Sequence, residues 1–306
     1  MLVLLFLAAL PAFADTATAS LMTKILIFGL LAVSLDLVFG FGGLWSFCHA
    51  AIFGVAAYTT GILIRQFGVT TFWLTAPAGI VAAGLASAII GFLALRSSGI
   101  YFLLITFALG QLVYSVAYKW APMTGGSDGL SGIPYPDVGF TLSTNGFYYF
   151  TLFICAICCY AMYRLTMSPF GQALQGVRES DVRMRVLGYN TWFCKYAAFI
   201  LSGMFSGVAG VLYVHFNGFI SPESVGMAAS GLATIMVIIG GAGTLWGGLV
   251  GSAVIFALEY LVSIITAERW PMFLGGFFIA AVMLFRGGIF PYIERLWKRI
   301  GANGRP

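Results

Sequence analysis

The sequence predicts an all-α polytopic membrane protein of about ten transmembrane or partly re-entrant helices. Three observations carry this prediction. Of 306 residues, 60% are hydrophobic and only 8% are charged, whereas a soluble domain carries about 25% charged residues. So few charges cannot solvate the outside of a chain this size, and so much apolar surface exceeds what one core hides. The apolar residues also fall in long, glycine-rich runs that are apolar around the whole circumference, where a surface helix carries one apolar stripe. No run shows the alternation of a membrane β-strand. An ordinary soluble enzyme, a disordered chain and a nucleic-acid binder are excluded on composition alone.

A spanning helix needs ~20 mostly apolar residues. Residues 1–20 form a short first span or a signal-like segment. Ala12-Phe13-Ala14 before Asp15 suits a signal peptidase, but no basic segment precedes it, so a start placed too late explains the segment equally well. Apolar runs follow at about 21–40, 44–64, 72–95, 100–120, 147–165, 193–214, 226–241, 247–265 and 270–286. Residues 21–290 thus read as one transmembrane domain. Residues 291–306 form a basic tail.

The net charge of +5 reports orientation rather than an acidic partner. With the loop 165–192 placed inside, Arg96, Arg164, Arg178, Arg183, Arg185, Lys195, Arg286, Arg295, Lys298, Arg299 and Arg305 lie on or near the inner side. Only Lys24, Arg65, Lys119 and Arg269 lie outside. The positive-inside rule therefore places the loop 165–192 and the C-terminus in the cytoplasm.

Two loops are longer than connection requires. The outer one, 121–146, is dense in turn formers from Thr124 to Pro134. The inner one opens on Ser168-Pro169, an N-cap followed by Pro at the first helical position. Its later part, Glu179 to Gly188, reads as a short helix. Ser180 or Asp181 caps the start, and Gly188 stands where a C-terminal Gly belongs. Arg178, Glu179, Asp181, Arg183 and Arg185 surround Met184 and Leu187, a pattern of apolar contact with charged flanks that suits a partner's groove.

Gly40-Phe41-Gly42-Gly43-Leu44-Trp45 is echoed by Gly241-Ala242-Gly243-Thr244-Leu245-Trp246. Both read as helix-breaking inner turns, and six residues weigh little for a structural repeat. Gly203 and Gly207, then Gly243, Gly247 and Gly251, stand four apart as packing ladders for close helix approach. Asp36 and Glu259 are the main acids inside apolar runs. Such groups are costly and often functional. Asp36 lies near the inner end of its run, while Glu259 reads either as a pathway group or as an interhelical hydrogen bond. His49 reads as a packed, hydrogen-bonded residue. The cysteines read as small packed hydrophobes rather than a disulfide framework. No Gly-Lys dipeptide occurs, so a Walker A loop is missing, and neither a zinc motif nor a nucleophile elbow is present. Neither catalytic residues nor metal ligands are expected.

At four stretches the chain resembles the LivM-type permeases, one of two membrane subunits of branched-chain amino-acid ABC importers. The stretches are Gly40 to Gly61, with Ser46 to Gly54 and Ala57-Tyr58-Thr59 inside it; Gly99-Ile100-Tyr101-Phe102 through Gly110-Gln111, then Thr124 to Pro134; Pro169-Phe170-Gly171, Arg178-Glu179, Leu187 to Asn190, Lys195, Ser202-Gly203 and the Gly207 and Gly210 pair; and Gly240 to Gly247. Asp36 departs from the family's usual amide, and Cys48 from its usual Gly.

The resemblance implies an ABC importer permease bundle in a bacterial-type inner membrane. It moves branched-chain or other apolar amino acids inward by alternating access. A LivH-like second permease subunit, two cytoplasmic ATPase subunits carrying ATP and Mg, and a periplasmic or extracellular solute-binding protein are the implied partners, in a lipid bilayer. No cofactor is expected on this chain. Glu179, Ser180, Asp181, Arg183, Arg185, Leu187 and Gly188 are then the ATPase-coupling segment. Thr124, Gly125, Gly126, Ser127 and Asp128 are candidates for docking the binding protein. Trp45, His49, Tyr101, Thr106, Gln111 and Glu259 are candidate pathway residues. The alternative is an ion-coupled secondary transporter acting alone, which would depend on Asp36 or Glu259.

Overall fold

The computed structural model describes residues 16–137, 143–265, 270–284 and 287–292. The first segment and the basic tail lie outside the described residues. In chain order the helices are α1 (Thr16–Asp36), α2 (His49–Arg65), α3 (Phe72–Ala94), α4 (Ile100–Lys119), α5 (Ala121–Thr124), α6 (Thr144–Met167), α7 (Pro169–Glu179), α8 (Asp181–Val186), α9 (Thr191–Asn217), α10 (Met227–Gly240), α11 (Gly247–Ile265) and α12 (Trp270–Leu284). A π-helical segment, Leu37–Phe41, prolongs α1.

Among the described residues five helices are long and apolar enough to cross a bilayer: Ala17–Phe41, Phe72–Ala94, Ile100–Lys119, Thr144–Met167 and Thr191–Asn217. The chain is a multi-pass membrane protein. The apolar run at 226–241 becomes the 14-residue α10, which rises only ~21 Å against a hydrocarbon core of ~30 Å. Gly226 and Gly241 cap it in non-helical backbone, so the helix itself covers only part of the distance between the two ends.

Described loops gather at two ends of the bundle. At one end β1 (Leu130–Ser131) pairs antiparallel with β2 (Phe219–Ile220). There too the Phe72 amide donates to the Asp137 carbonyl at 3.1 Å, and Gln66 Nε2 donates to the Pro122 carbonyl at 2.8 Å. At the other end the segment 37–46, the loop 168–190 and the turn 241–246 meet, as described below.

Helices α1 and α9 form the centre. Leu30, Ala32 and Val33 of α1 and Ala198, Phe199 and Ala209 of α9 are fully buried. The glycines of α9 make this possible by removing side chains where neighbours press in. A Cβ on Gly207 would lie 2.6 Å from Ala83 Cβ, and one on Gly203 would overlap Ser87. A Cβ on Gly210 would overlap the Phe53 carbonyl. This is the close approach the small-residue ladder predicts. The second ladder needs correction: Gly243 sits in a turn with φ +80, and α11 begins only at Gly247.

Candidate functional site

The loop 168–190 folds into a two-helix platform. Ser168 Oγ accepts the Gly171 amide at 3.4 Å, and Pro169 supplies the preset φ of a first helical residue. Helix α7 is amphipathic, burying Ala173, Leu174 and Val177. Ser180 then ends one helix and starts the next. Its amide donates to the Gly176 carbonyl at 3.0 Å, and its Oγ accepts the Arg183 amide at 3.3 Å, capping α8. At the far end the Gly188 amide donates to Arg185 O and the Tyr189 amide to Met184 O, both at 3.0 Å. This is a Schellman closure, and Gly188 takes the φ of +87 that it demands. Asn190 Oδ1 accepts the Phe193 amide at 3.0 Å and opens α9.

Asp181 locks the platform to α9. Its Oδ1 lies 2.9 Å from Lys195 Nζ, and its Oδ2 lies 2.7 Å from Arg185 Nη2. Arg185 Nε in turn donates to Thr191 Oγ1 at 3.1 Å. Burial alone raises the Asp181 pKa, but Lys195, Thr191 and Arg185 together outweigh it and hold the carboxyl below its ordinary 3.8. The group is therefore ionised throughout the neutral range. Held this way, α8 turns Val182, Val186 and Leu187 outward, 72%, 83% and 70% exposed. Glu179, Arg183 and Gly188 are exposed beside them. Leu187 faces out as the sequence pattern expects, but Met184 does not. Val182 and Val186, four apart, share one helix face, which puts Met184 on the opposite side. There its sulfur stands 2.8 Å from where a Gly176 Cβ would be.

Beneath the platform the two glycine-rich segments meet. Asp36, fully buried at the end of α1, accepts the Gly243 amide on Oδ1 at 2.7 Å and the Leu245 amide on Oδ2 at 3.0 Å. Leu245 has φ +59, the one positive value at a non-glycine among the described residues. A Cβ on Gly40 would overlap both the Asp36 carboxylate and the Gly243 backbone. Arg178, at the end of α7, donates from Nη1 to the Gly40 carbonyl, and its Cγ lies 2.9 Å from where a Gly43 Cβ would stand. The echoed hexapeptides are thus neighbours in space with different backbones. Gly43 is left-handed in the first, whereas Gly241, Gly243 and Leu245 have positive φ in the second.

The six candidate pathway residues do not converge. His49 is buried, with Nδ1 3.0 Å from Ser46 Oγ and Nε2 2.7 Å from Ser202 Oγ. Ser202 Oγ donates to the Ser34 carbonyl, so it accepts from His49 Nε2–H, and Nδ1 accepts from Ser46. The packed reading of His49 is the observed one. Thr106 is buried as well and accepts the Phe47 amide at 3.2 Å. Trp45 and Tyr101 are exposed and Gln111 is half-buried. Glu259 is bound to Lys24 Nζ through both carboxylate oxygens at 3.1 and 3.0 Å. It is the interhelical partner of a cation rather than a free acid.

At the other end Thr124 is buried, donating to the Ala117 carbonyl at 2.7 Å, and Gly126 is buried behind it. Gly125 takes φ +75 to turn the chain. Of the candidates for binding-protein docking, only Ser127 and Asp128 are exposed, with Ser127 Oγ donating to Asp128 Oδ1 at 3.1 Å. Among the described residues no three His, Cys, Asp or Glu side chains come together as metal ligands would. The clasp formed by Asp36, Arg178 and the two turns was not legible beforehand. Its signals were an acid in an apolar run and the hexapeptide echo, and neither names the other as partner.

Comparison with known proteins gives one family. Residues 17–286 match the model described as "Branched-chain amino acid transport system / permease component". The high-affinity branched-chain amino acid transport system permease protein LivM of Salmonella typhimurium is 27% identical over 317 residues, covering 95% of this chain and 74% of that protein. The corresponding LivH of Escherichia coli is 25% identical over 263 residues, covering 77% of this chain and 82% of that protein. A solved structure, PsaBC from Streptococcus pneumoniae in complex with Fab, superposes with a TM-score of 0.47 and 16% identity, covering 92% of this chain and 96% of that one.

Proposed function

The chain belongs to the permease components of branched-chain amino acid transport systems, and we propose that it is the LivM-like half of an ATP-driven importer. In this reading it pairs with a LivH-like subunit, and two cytoplasmic ATPase subunits and an external solute-binding protein complete the assembly. The solute is a branched-chain or other apolar amino acid. ATP on the partner subunits, with Mg, stabilises one of two global states, and the solute path opens alternately to either side. The end carrying α7 and α8 faces the cytoplasm, and Ser127 and Asp128 face the binding protein.

One observation carries the proposal. Helix α8 presents Val182, Val186 and Leu187 outward while Asp181, Lys195 and Arg185 pin its base. These apolar side chains lie at a bundle end, outside the long apolar helices, and are left uncovered by the chain itself. A groove on a partner removes them from water. The flanking Arg183 adds charge at the rim.

The test is Val186→Asp, co-expressed with the proposed partner subunits and purified through a tag on this chain. Val186 is mostly exposed on α8, so the change buries no charge within the described residues. The ATPase subunits should fall away at least ten-fold while the LivH-like subunit stays. ATPase subunits that remain at the wild-type ratio would remove α8 as the docking element. Reversing Arg185 is a poorer test, because Arg185 also holds Asp181 and Thr191.

A further inference from the structure

We infer that Arg178 is a positioning residue that transmits displacement of the α7–α8 platform to the paired turns 40–46 and 241–246. This rests on the docking role of α8 proposed above. Three contacts make a continuous path. Helices α7 and α8 are joined through the single residue Ser180, whose amide closes one and whose hydroxyl opens the other. Leu174 of α7, fully buried, packs in one cluster with Leu37 and Phe41 of the π-helical segment and with Ala198 of α9. Arg178 then extends past this apolar contact. It donates to the Gly40 carbonyl, its stem crosses Gly43, and its Nη1 lies 3.2 Å from where a Gly243 Cβ would stand.

The Arg178 side chain thus bears on both turns. From there Asp36 carries the linkage into the second half of the bundle, because its two oxygens hold the amides of Gly243 and Leu245 between α10 and α11. The strained element is Leu245. A left-handed non-glycine residue persists only where its surroundings hold it, and here the holding group is Asp36. Coupling through a chain of contacts requires a pair of states, and in this inference they are the held turn seen here and a form released when Asp36 lets go of Leu245. The guanidinium fork also explains the residue type. Arginine presents its donors in a fixed plane, so that Nη1 reaches the Gly40 carbonyl while lying against Gly243, a fixed geometry that the point charge of lysine does not reproduce.

The experiment uses the complete complex in lipid nanodiscs. Trp246, which is exposed on the second turn, is changed to Cys in a Cys194→Ser background, the other four cysteines being buried. Maleimide labelling at position 246 is timed with and without ATP. With Arg178 present, ATP should change the rate at least three-fold. Arg178→Gln should abolish that change and uptake together while the ATPase subunits co-purify in full, and Arg178→Lys should restore part of both. An Arg178→Gln complex with a normal ATP-dependent change would overturn the inference. So would a wild-type turn that does not respond to ATP. ATPase subunits lost from Arg178→Gln would make Arg178 part of the docking surface and overturn this inference alone. ATPase subunits retained by Val186→Asp would instead overturn the docking role, and this inference with it.

Discussion

Replacing Asp36 by Ala removes the single acceptor of two backbone amides, those of Gly243 and Leu245. A buried donor left without an acceptor costs about 1–3 kcal/mol. The Leu245 amide is buried and the Gly243 amide part-buried, so together they cost at most about 2–6 kcal/mol, less whatever the turn regains when Leu245 leaves its left-handed conformation. For a chain of this size each kcal/mol moves the midpoint by roughly 2 °C, so Asp36→Ala should lower it by at most about 4–12 °C. Asp36→Asn keeps one carbonyl oxygen and turns an NH2 group toward the other amide. It should lose about half as much.

The buried cysteines supply the assay. Cys48, Cys155, Cys158 and Cys159 are free and buried, so a thiol-reactive fluorophore reports their exposure on heating. Scans must run at one rate in one detergent, since unfolding of such chains is irreversible and rate-dependent. An Asp36→Ala midpoint within about 1 °C of wild type would refute the assignment of these two bonds as supports of the turn. An Asp36→Asn variant as damaged as Asp36→Ala would refute it differently. It would show that the carboxylate acts through its charge against Arg178 rather than through its two acceptors.

Three further outcomes are expected. Glu259→Gln and Lys24→Gln should each reduce uptake by leaving one polar partner behind, and the double variant should recover it, with a coupling of about 1 kcal/mol in a double-mutant cycle. A double variant as inactive as the worse single would favour an ion-coupling role for Glu259. Gly210→Ala forces a methyl into the Phe53 carbonyl and should lower the folded yield several-fold. Gly231→Ala, in α10 with open space around it, should be neutral or stabilising by up to about 1 kcal/mol, and equal yields from the two would count against the packing of α9 on α2. Single cysteines at Ser127 and Ser180 should be labelled from opposite sides of the membrane, and labelling from one side would contradict the placing of their loops at two ends of the bundle.

Much of the fold was legible because its signals are local. Capping needs partners within about four residues, and so Ser168-Pro169, Ser180 and Gly188 announce α7 and α8 in the sequence and do in the structure what they announce. Apolar runs long enough to span likewise end within a few residues of the observed helices, since the bilayer sets their length. What was illegible is non-local. Asp36 finds its partners 207 and 209 residues away, and Lys24 finds Glu259 at a separation of 235. No periodicity encodes such pairs. The outward face of α8 was misread at Met184 for a smaller reason. In a six-residue helix the choice of face depends on what lies beneath, and Gly176 offers a hollow that a methionine fills.

These non-local pairs also bear on the choice between an importer subunit and a lone ion-coupled carrier. A carrier of that kind needs an acid in its path that gains and loses an ion during each cycle. The two main acids inside the apolar runs are both engaged. Glu259 gives both oxygens to Lys24, and Asp36 gives one oxygen to each of two backbone amides. A proton on Asp36 would weaken the bonds to Gly243 and Leu245, and a bound cation would compete with them, so either would loosen the turn between α10 and α11. The same bonds suit a subunit driven from outside. They give the turn a defined resting form, and they leave its release to a mechanical input at Arg178, which is supplied where the platform meets its partner.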